Sequence, residues 1–313
     1  MNNKELIEEI CKKKEFCELP EGVIEGVLGS YDLKKAKSDY DKIKQARAVL
    51  RKYFTIFLTN KISKGKLEGE ELLRKHVSSK DRDYEEVYGR ILSAKENNGV
   101  IGTALGFGSD LLSSNRMKDI FSNKKQKNKK TISAENQLNN GHAIPPGVLQ
   151  SVKYKTIIDF GAGLNGLSFE YIKKYSDASY LGVEATNVLV KLMNNYFSKN
   201  KFEGRAIWGN LFDLEEIKEI ISKQKSPKVI LLFRVIDALE LLERDYSKTF
   251  ILGIMEELDK EDKFVISFSL GSISGKSKFK ARRYWLLDFI EQNFEILDDF
   301  ESNDERFIVF GKK

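Results

Sequence analysis

From residue 155 onward the chain alternates short apolar runs with amphipathic stretches, and few architectures satisfy that alternation. The runs TIIDF (156–160), SYLGVE (179–184), RAIWGN (205–210), KVILLF (228–233) and KFVISF (263–268) are rich in the β-branched, aromatic and aliphatic residues of buried strands. NFEILDDF (293–300) and RFIVFG (306–311) close the chain. Helical periodicity fills the gaps near 168–176, 187–199, 213–224, 236–258 and 281–291. Asp213 with Glu216 reads as a capping box. Seven strands alternating with helices predict a mostly parallel, doubly wound α/β sheet. Only Glu301 to Glu305 separates the last two strands, too few residues for a parallel crossover. Those strands are expected to close as an antiparallel hairpin.

The first hundred residues read differently. Residues 3–14, 32–59 and 83–95 have helical spacing, and PEGVIEGVLGS (20–30) is a short apolar element punctuated by Gly. Residues 96–150 are rich in Gly, Ser and Asn and carry five Lys between Lys124 and Lys130. That run is either a solvated linker or an arm contacting phosphates. The expected division is a helical domain over 1–95, an insertion or linker over 96–150, and the α/β domain over 151–313.

Charge sharpens this division. The chain has 53 basic and 47 acidic residues; residues 151–313 hold 25 and 26 of them, leaving 28 and 21 in residues 1–150. The positive excess lies wholly in the first half, which is expected to meet a polyanion first. A 41% hydrophobic fraction excludes a fully disordered chain, and no run approaches the ~20 apolar residues of a membrane span. The acidic N-terminal segment does not read as a signal peptide, so a cytoplasmic protein is expected. Cys11 and Cys17 read as two partly buried thiols on a helix, and with only His76 and His142 no metal site is expected.

The segment Ile157–Gly166 carries the strongest local chemistry. An apolar strand runs into Gly161-Ala162-Gly163 and then a helix, satisfying GxGxxG with Gly166. Such glycines permit a tight turn and close approach of a ligand to the backbone. Glu184 ends the next strand, where a carboxylate accepts hydrogen bonds from ribose hydroxyls. Asn210 is suited to an adenine edge, and Leu211 and Phe212 to its face. The bland alternatives are a plain strand–helix turn and an exposed strand-end Glu. This pattern leaves a dinucleotide enzyme and an S-adenosylmethionine (SAM) methyltransferase both open; the late hairpin favours the latter arrangement. A second segment, Ser267–Arg283, follows the fifth strand and offers basic groups over the crevice, with Trp285 expected in the core.

Together these segments resemble the aminoglycoside-resistance 16S ribosomal RNA guanine-N7 methyltransferases. His76-Val77-Ser78-Ser79-Lys80-Asp81-Arg82 is similar to that family's His-Ala-Ser-Thr-Arg-Glu-Arg-like motif. Asp159-Phe160-Gly161-Ala162-Gly163-Leu164-Asn165-Gly166 is similar to its Asp-x-Gly-Cys-Gly-Leu-Asn-Pro loop. Ser267, Phe268, Ser272, Gly275 and Lys278 match its late loop in register. The resemblance implies a Rossmann-like SAM-dependent fold with an N-terminal helical domain, and a distant member of the family. It implies SAM as cofactor, held by Arg82, Asp159, Gly161, Ala162, Gly163, Glu184, Asn210, Leu211 and Arg234. Arg82 would approach the methionine end. It implies 16S rRNA in the small ribosomal subunit as partner, contacted by His76, Lys80, Lys124, Lys125, Lys276, Lys278 and Arg282. Ser272 and Lys278 would position the target base. The sequence departs at Gly166 (Pro in the family), Asn210 (Asp), Arg234 (Lys), Ile236-Asp237 (Leu-Pro) and Gly271 (Arg). Methylation of another RNA such as transfer RNA, or of another base atom, and a non-catalytic RNA-binding role stay open at this point.

Overall fold

The computed structural model describes residues 1–30, 33–55, 69–75, 80–93, 153–241, 243–270 and 283–313. Met1–Ala94 and Val152–Lys313 form one compact unit; Lys95–Ser151 fall to another and lie outside the described residues.

Seven strands build one sheet: β1 (Thr156–Phe160), β2 (Ser179–Glu184), β3 (Gly204–Trp208), β4 (Lys228–Phe233), β5 (Lys263–Ser269), β6 (Glu295–Ser302) and β7 (Glu305–Gly311). Their order is β3-β2-β1-β4-β5-β7-β6. The first five are parallel; β7 runs antiparallel to β5 and β6. The chain reverses its order between β1 and β4, so a crevice opens outside the carboxyl ends of those two strands.

Strand alternation divides the core into two layers. Ile157, Val229, Leu231, Val265 and Phe307 face one side, against the helices Tyr84–Ser93 and Asn187–Asn200. Ile158, Phe160, Ile230, Leu232 and Phe264 face the other, against Leu214–Ser222, Tyr246–Glu256 and Tyr284–Asn293. Burying each such side chain contributes about 1.5–3 kcal/mol. A third core joins Leu6, Ile10, Val23, Val27, Ala46 and Leu50 of the first three helices, Asn3–Cys11, Glu21–Gly29 and Asp39–Leu50, with Phe16 from the turn between the first two. The helices Gly69–Lys75 and Tyr84–Ser93 instead add Leu72, Leu73, Tyr88 and Ile91 to the first sheet layer.

The structure departs from the sequence expectations in identifiable places. Among the described residues of the helix expected over 32–59, α-helix runs from Asp39 to Leu50 and is followed by a π-helical turn, Arg51–Thr55; residues 32 and 56–59 lie outside the described residues. Ser38 starts the α-helix, its hydroxyl accepting from the Asp41 amide at 3.2 Å. The stretch 236–258 is two helices, Ile236–Leu239 and Tyr246–Glu256. Glu240 explains the break, because its carboxylate accepts from the Asp245 and Ser247 amides at 2.8 and 3.0 Å and caps the second helix. Trp285 is not core: it is 38% exposed, with Lys248 Nζ 5.1 Å from its ring centre. Cys17 is exposed beyond the first helix, and its thiol donates to the Cys11 carbonyl at 2.6 Å.

Candidate functional site

β1 ends at Phe160 and the chain turns at once. Gly161 (φ 68°) and Gly163 (φ 55°) take left-handed conformations that side chains disfavour. A methyl group on Gly161 would lie 2.5 Å from Val235 Cγ2. The amides of Gly161 and Ala162 donate to the Val183 carbonyl at 2.8 and 3.2 Å, pinning the turn to β2. Glu184, at the tip of β2, reaches back. Its Oε2 accepts from the Gly163 amide at 2.8 Å and its Oε1 from the Thr186 amide at 2.9 Å. Burial pushes the Glu184 carboxyl up, opposed by these amides.

Behind the turn lies a buried polar network. Asp159 Oδ2 accepts from the Tyr180 hydroxyl at 2.6 Å and from Asn165 Nδ2 at 2.7 Å. Asn165 Nδ2 also donates to the Tyr88 hydroxyl at 3.0 Å, and its Oδ1 accepts from Arg82 Nη1 at 3.1 Å. Arg82 makes a two-pronged pair with Glu305, the first residue of β7, through Nε at 3.1 Å and Nη2 at 2.8 Å. Arg234, just past β4, adds a second guanidinium to the same carboxylate at 3.0 Å, and the Ser267 hydroxyl also donates to it. Burial alone would raise the Glu305 carboxyl. The Arg82 and Arg234 charges outweigh burial and hold it below the usual range. Burial pushes Asp159 up to about 6, against the hydrogen bonds from Tyr180 and Asn165. Asp159 Oδ1 and Arg234 Nε are buried and have no hydrogen-bond partner among the described residues.

Asn210 and Leu211 follow β3. Asn210 Oδ1 accepts from the Phe212 amide at 3.0 Å, and its Nδ2 faces Gly22, where a methyl group would approach to 2.8 Å. Phe54 meets Phe212 edge-on at 6.2 Å. Trp208 Nε1 donates to the carbonyls of Glu18 and Ala185 at 3.1 and 2.6 Å. The N-terminal helices thus wall the carboxyl ends of β2 and β3. The nine residues expected from the resemblance to hold SAM stand on this carboxyl edge or in the network behind it. Lys80 is exposed, 3.8 Å from the Asp81 carboxylate. His76, Lys124, Lys125, Ser272, Lys276, Lys278 and Arg282 lie outside the described residues. Among the described residues no group of three or more His, Cys, Asp or Glu side chains is placed to hold a metal ion. No described helix is long and apolar enough to cross a membrane.

Solved structures sharpen the comparison. The 16S rRNA methylase RmtB aligns over 100% of this chain and 99% of its own, with a TM-score of 0.59 and 15% identity. An rRNA methylase from Escherichia coli aligns over the full length of both chains at 0.60 and 15%. RmtF, a 16S rRNA methyltransferase solved in complex with S-adenosyl-L-homocysteine, does so at 0.58 and 12%. The chain shares the fold of these rRNA methylases. No protein-family model matches the sequence, and no curated protein matches it.

The sequence reading missed Glu305, Tyr88 and Tyr180 and gave Asn165 no role. Glu305 follows a hairpin turn, where an acid reads as solvated, and nothing local announces two arginines 71 and 223 positions away (Arg234 and Arg82). Asn165 carried a usable signal: a polar side chain just inside the turn after a strand with Asp159 next to its end.

Proposed function

We propose that the protein is a SAM-dependent RNA methyltransferase that modifies ribosomal RNA, and specifically guanine N7 in the decoding region of 16S rRNA on the small subunit. The observation that carries this reading is the full-length fold likeness to rRNA methylases, N-terminal helices included, at TM-scores of 0.58 to 0.60. The three motifs that resemble the guanine-N7 family support the choice of atom and target.

The site's residues suit the cofactor. Left-handed glycines let a ligand approach the loop backbone. The Glu184 carboxylate, held by the Gly163 and Thr186 amides, stands at the tip of β2, where ribose hydroxyls would donate to it. Asn210 and Leu211 are offered to the adenine. The orphaned Asp159 Oδ1 is an acceptor suited to an ammonium group. When bound, SAM supplies an electrophilic methyl group. Guanine N7 carries a lone pair and no proton, so the protein need supply no general base. Its task is to align N7 with the methyl group and exclude water. That accords with a network of buried positioning groups in place of an acid–base pair. The target base must leave its stack or sit in irregular RNA to be reached.

Binding and chemistry test the two halves of the proposal. By calorimetry, Glu184→Ala should weaken SAM binding at least tenfold; unchanged affinity would remove the pocket. RNA treated with enzyme and SAM, then cleaved chemically at N7-methylguanine, should break at one position in 16S rRNA. Methylated RNA that resists this cleavage would rule out N7.

A further inference from the structure

We infer that Arg234, rather than Arg82, binds the carboxylate at the amino-acid end of the cofactor, and that Glu305 holds Arg82 as internal scaffolding. This inference rests on the SAM-binding reading above. It departs from what the family resemblance implies for Arg82.

The hydrogen-bond arrangement separates the two arginines. Arg82 donates from Nε and Nη2 to Glu305 and from Nη1 to Asn165. Its guanidinium carbon lies 4.7 Å from the Phe233 ring centre and 5.7 Å from that of Tyr84. Its side chain is 3% exposed, which leaves no open edge for a ligand. Arg234 touches Glu305 with Nη2 alone, and its side chain is 23% exposed. Its buried Nε has no hydrogen-bond partner among the described residues, and a buried unsatisfied donor is costly. Its backbone is left-handed (φ 59°), a conformation tolerated in non-glycine residues chiefly where surroundings or function impose it.

Charge points the same way. Glu305 neutralises one of two guanidinium groups, so the cluster keeps a positive charge beside the crevice between β1 and β4. At the other end of the series Asp159–Asn165–Arg82–Glu305–Arg234 stands the orphaned acceptor Asp159 Oδ1. Asp159 Oδ1 and Arg234 Nε are the buried polar atoms of this series without a hydrogen-bond partner among the described residues, the first an acceptor suited to an ammonium group and the second a donor suited to a carboxylate. Arg234 is therefore a specificity-determining residue and Glu305 a positioning one.

Decarboxylated SAM, which lacks only the carboxylate, provides the test. The full-length protein should bind SAM about tenfold or more tightly than the decarboxylated form, as a charge-assisted hydrogen bond requires. In Arg234→Met the two affinities should converge, while Arg234→Lys should restore much of the preference. Arg234→Met keeps the Arg82–Glu305 pair, so folding, checked by circular dichroism, should survive. Arg82→Lys, which keeps a charge opposite Glu305, should lower the melting temperature yet preserve the preference. A preference that persists in Arg234→Met, or vanishes in Arg82→Lys, would overturn the assignment while leaving SAM binding intact. Wild-type protein binding neither compound would overturn the assignment together with the reading beneath it.

Discussion

Asp159 is buried, and its pKa of about 6 means that ionisation costs more in the folded chain than in the unfolded one. A raised carboxyl pKa carries no penalty below the unfolded value. The penalty grows as pH rises from about 4 through 6 and reaches the order of 3 kcal/mol at neutral pH. Asn at this position cannot ionise. The stability of Asp159→Asn relative to wild type should therefore improve between pH 4 and pH 7.5, by up to that amount, in denaturant titrations. A difference independent of pH would mean that Asp159 does not titrate in its buried setting. Glu305 differs in kind, because two guanidinium groups hold its carboxyl below the usual range. Glu305→Gln leaves the buried Arg82 uncompensated and should cost about 3–5 kcal/mol in the same measurement. A loss below about 1 kcal/mol would contradict the buried network.

At the scale of elements, the turn after β1 decides whether the crevice can work. Gly161→Ala adds a methyl group 2.5 Å from Val235 Cγ2 at a φ of 68°. The left-handed backbone alone costs about 1–2 kcal/mol. The variant should melt several degrees lower, measured calorimetrically, and bind SAM weakly; unchanged melting would contradict the close approach. This turn was legible because strand, glycines and spaced Glu follow one another closely along the chain. Strands β1, β2 and β4 match their apolar runs end to end, since the alternation that buries them on both faces is written locally. The split of 236–258 was not legible, because Glu240 ends one helix by capping the next through a turn that hydrophobic spacing does not encode. The exposure of Trp285 escaped for a similar reason: composition does not say which face of a helix meets the sheet.

For the whole molecule, charge placement matters more than net charge. Residues 33–55 hold eight basic and two acidic side chains, with Lys34, Lys35, Lys37, Lys44, Arg51 and Lys52 exposed. The same N-terminal body walls Glu184–Asn187 and Trp208–Phe212, through Glu18, Phe54 and Gly22. Replacing Lys34, Lys35, Lys37 and Lys44 with Ser should flatten the salt dependence of RNA binding, by about 0.7–0.9 in log–log slope for each phosphate no longer neutralised. An unchanged slope would place the RNA-binding cations elsewhere.

The central claim is methyl transfer to ribosomal RNA. Purified small ribosomal subunits, naked 16S RNA and transfer RNA, each incubated with the protein and methyl-labelled SAM, test it most directly. Label is expected in the RNA of the subunit, abolished by Glu184→Ala. Label confined to transfer RNA, or none in any RNA, would contradict it.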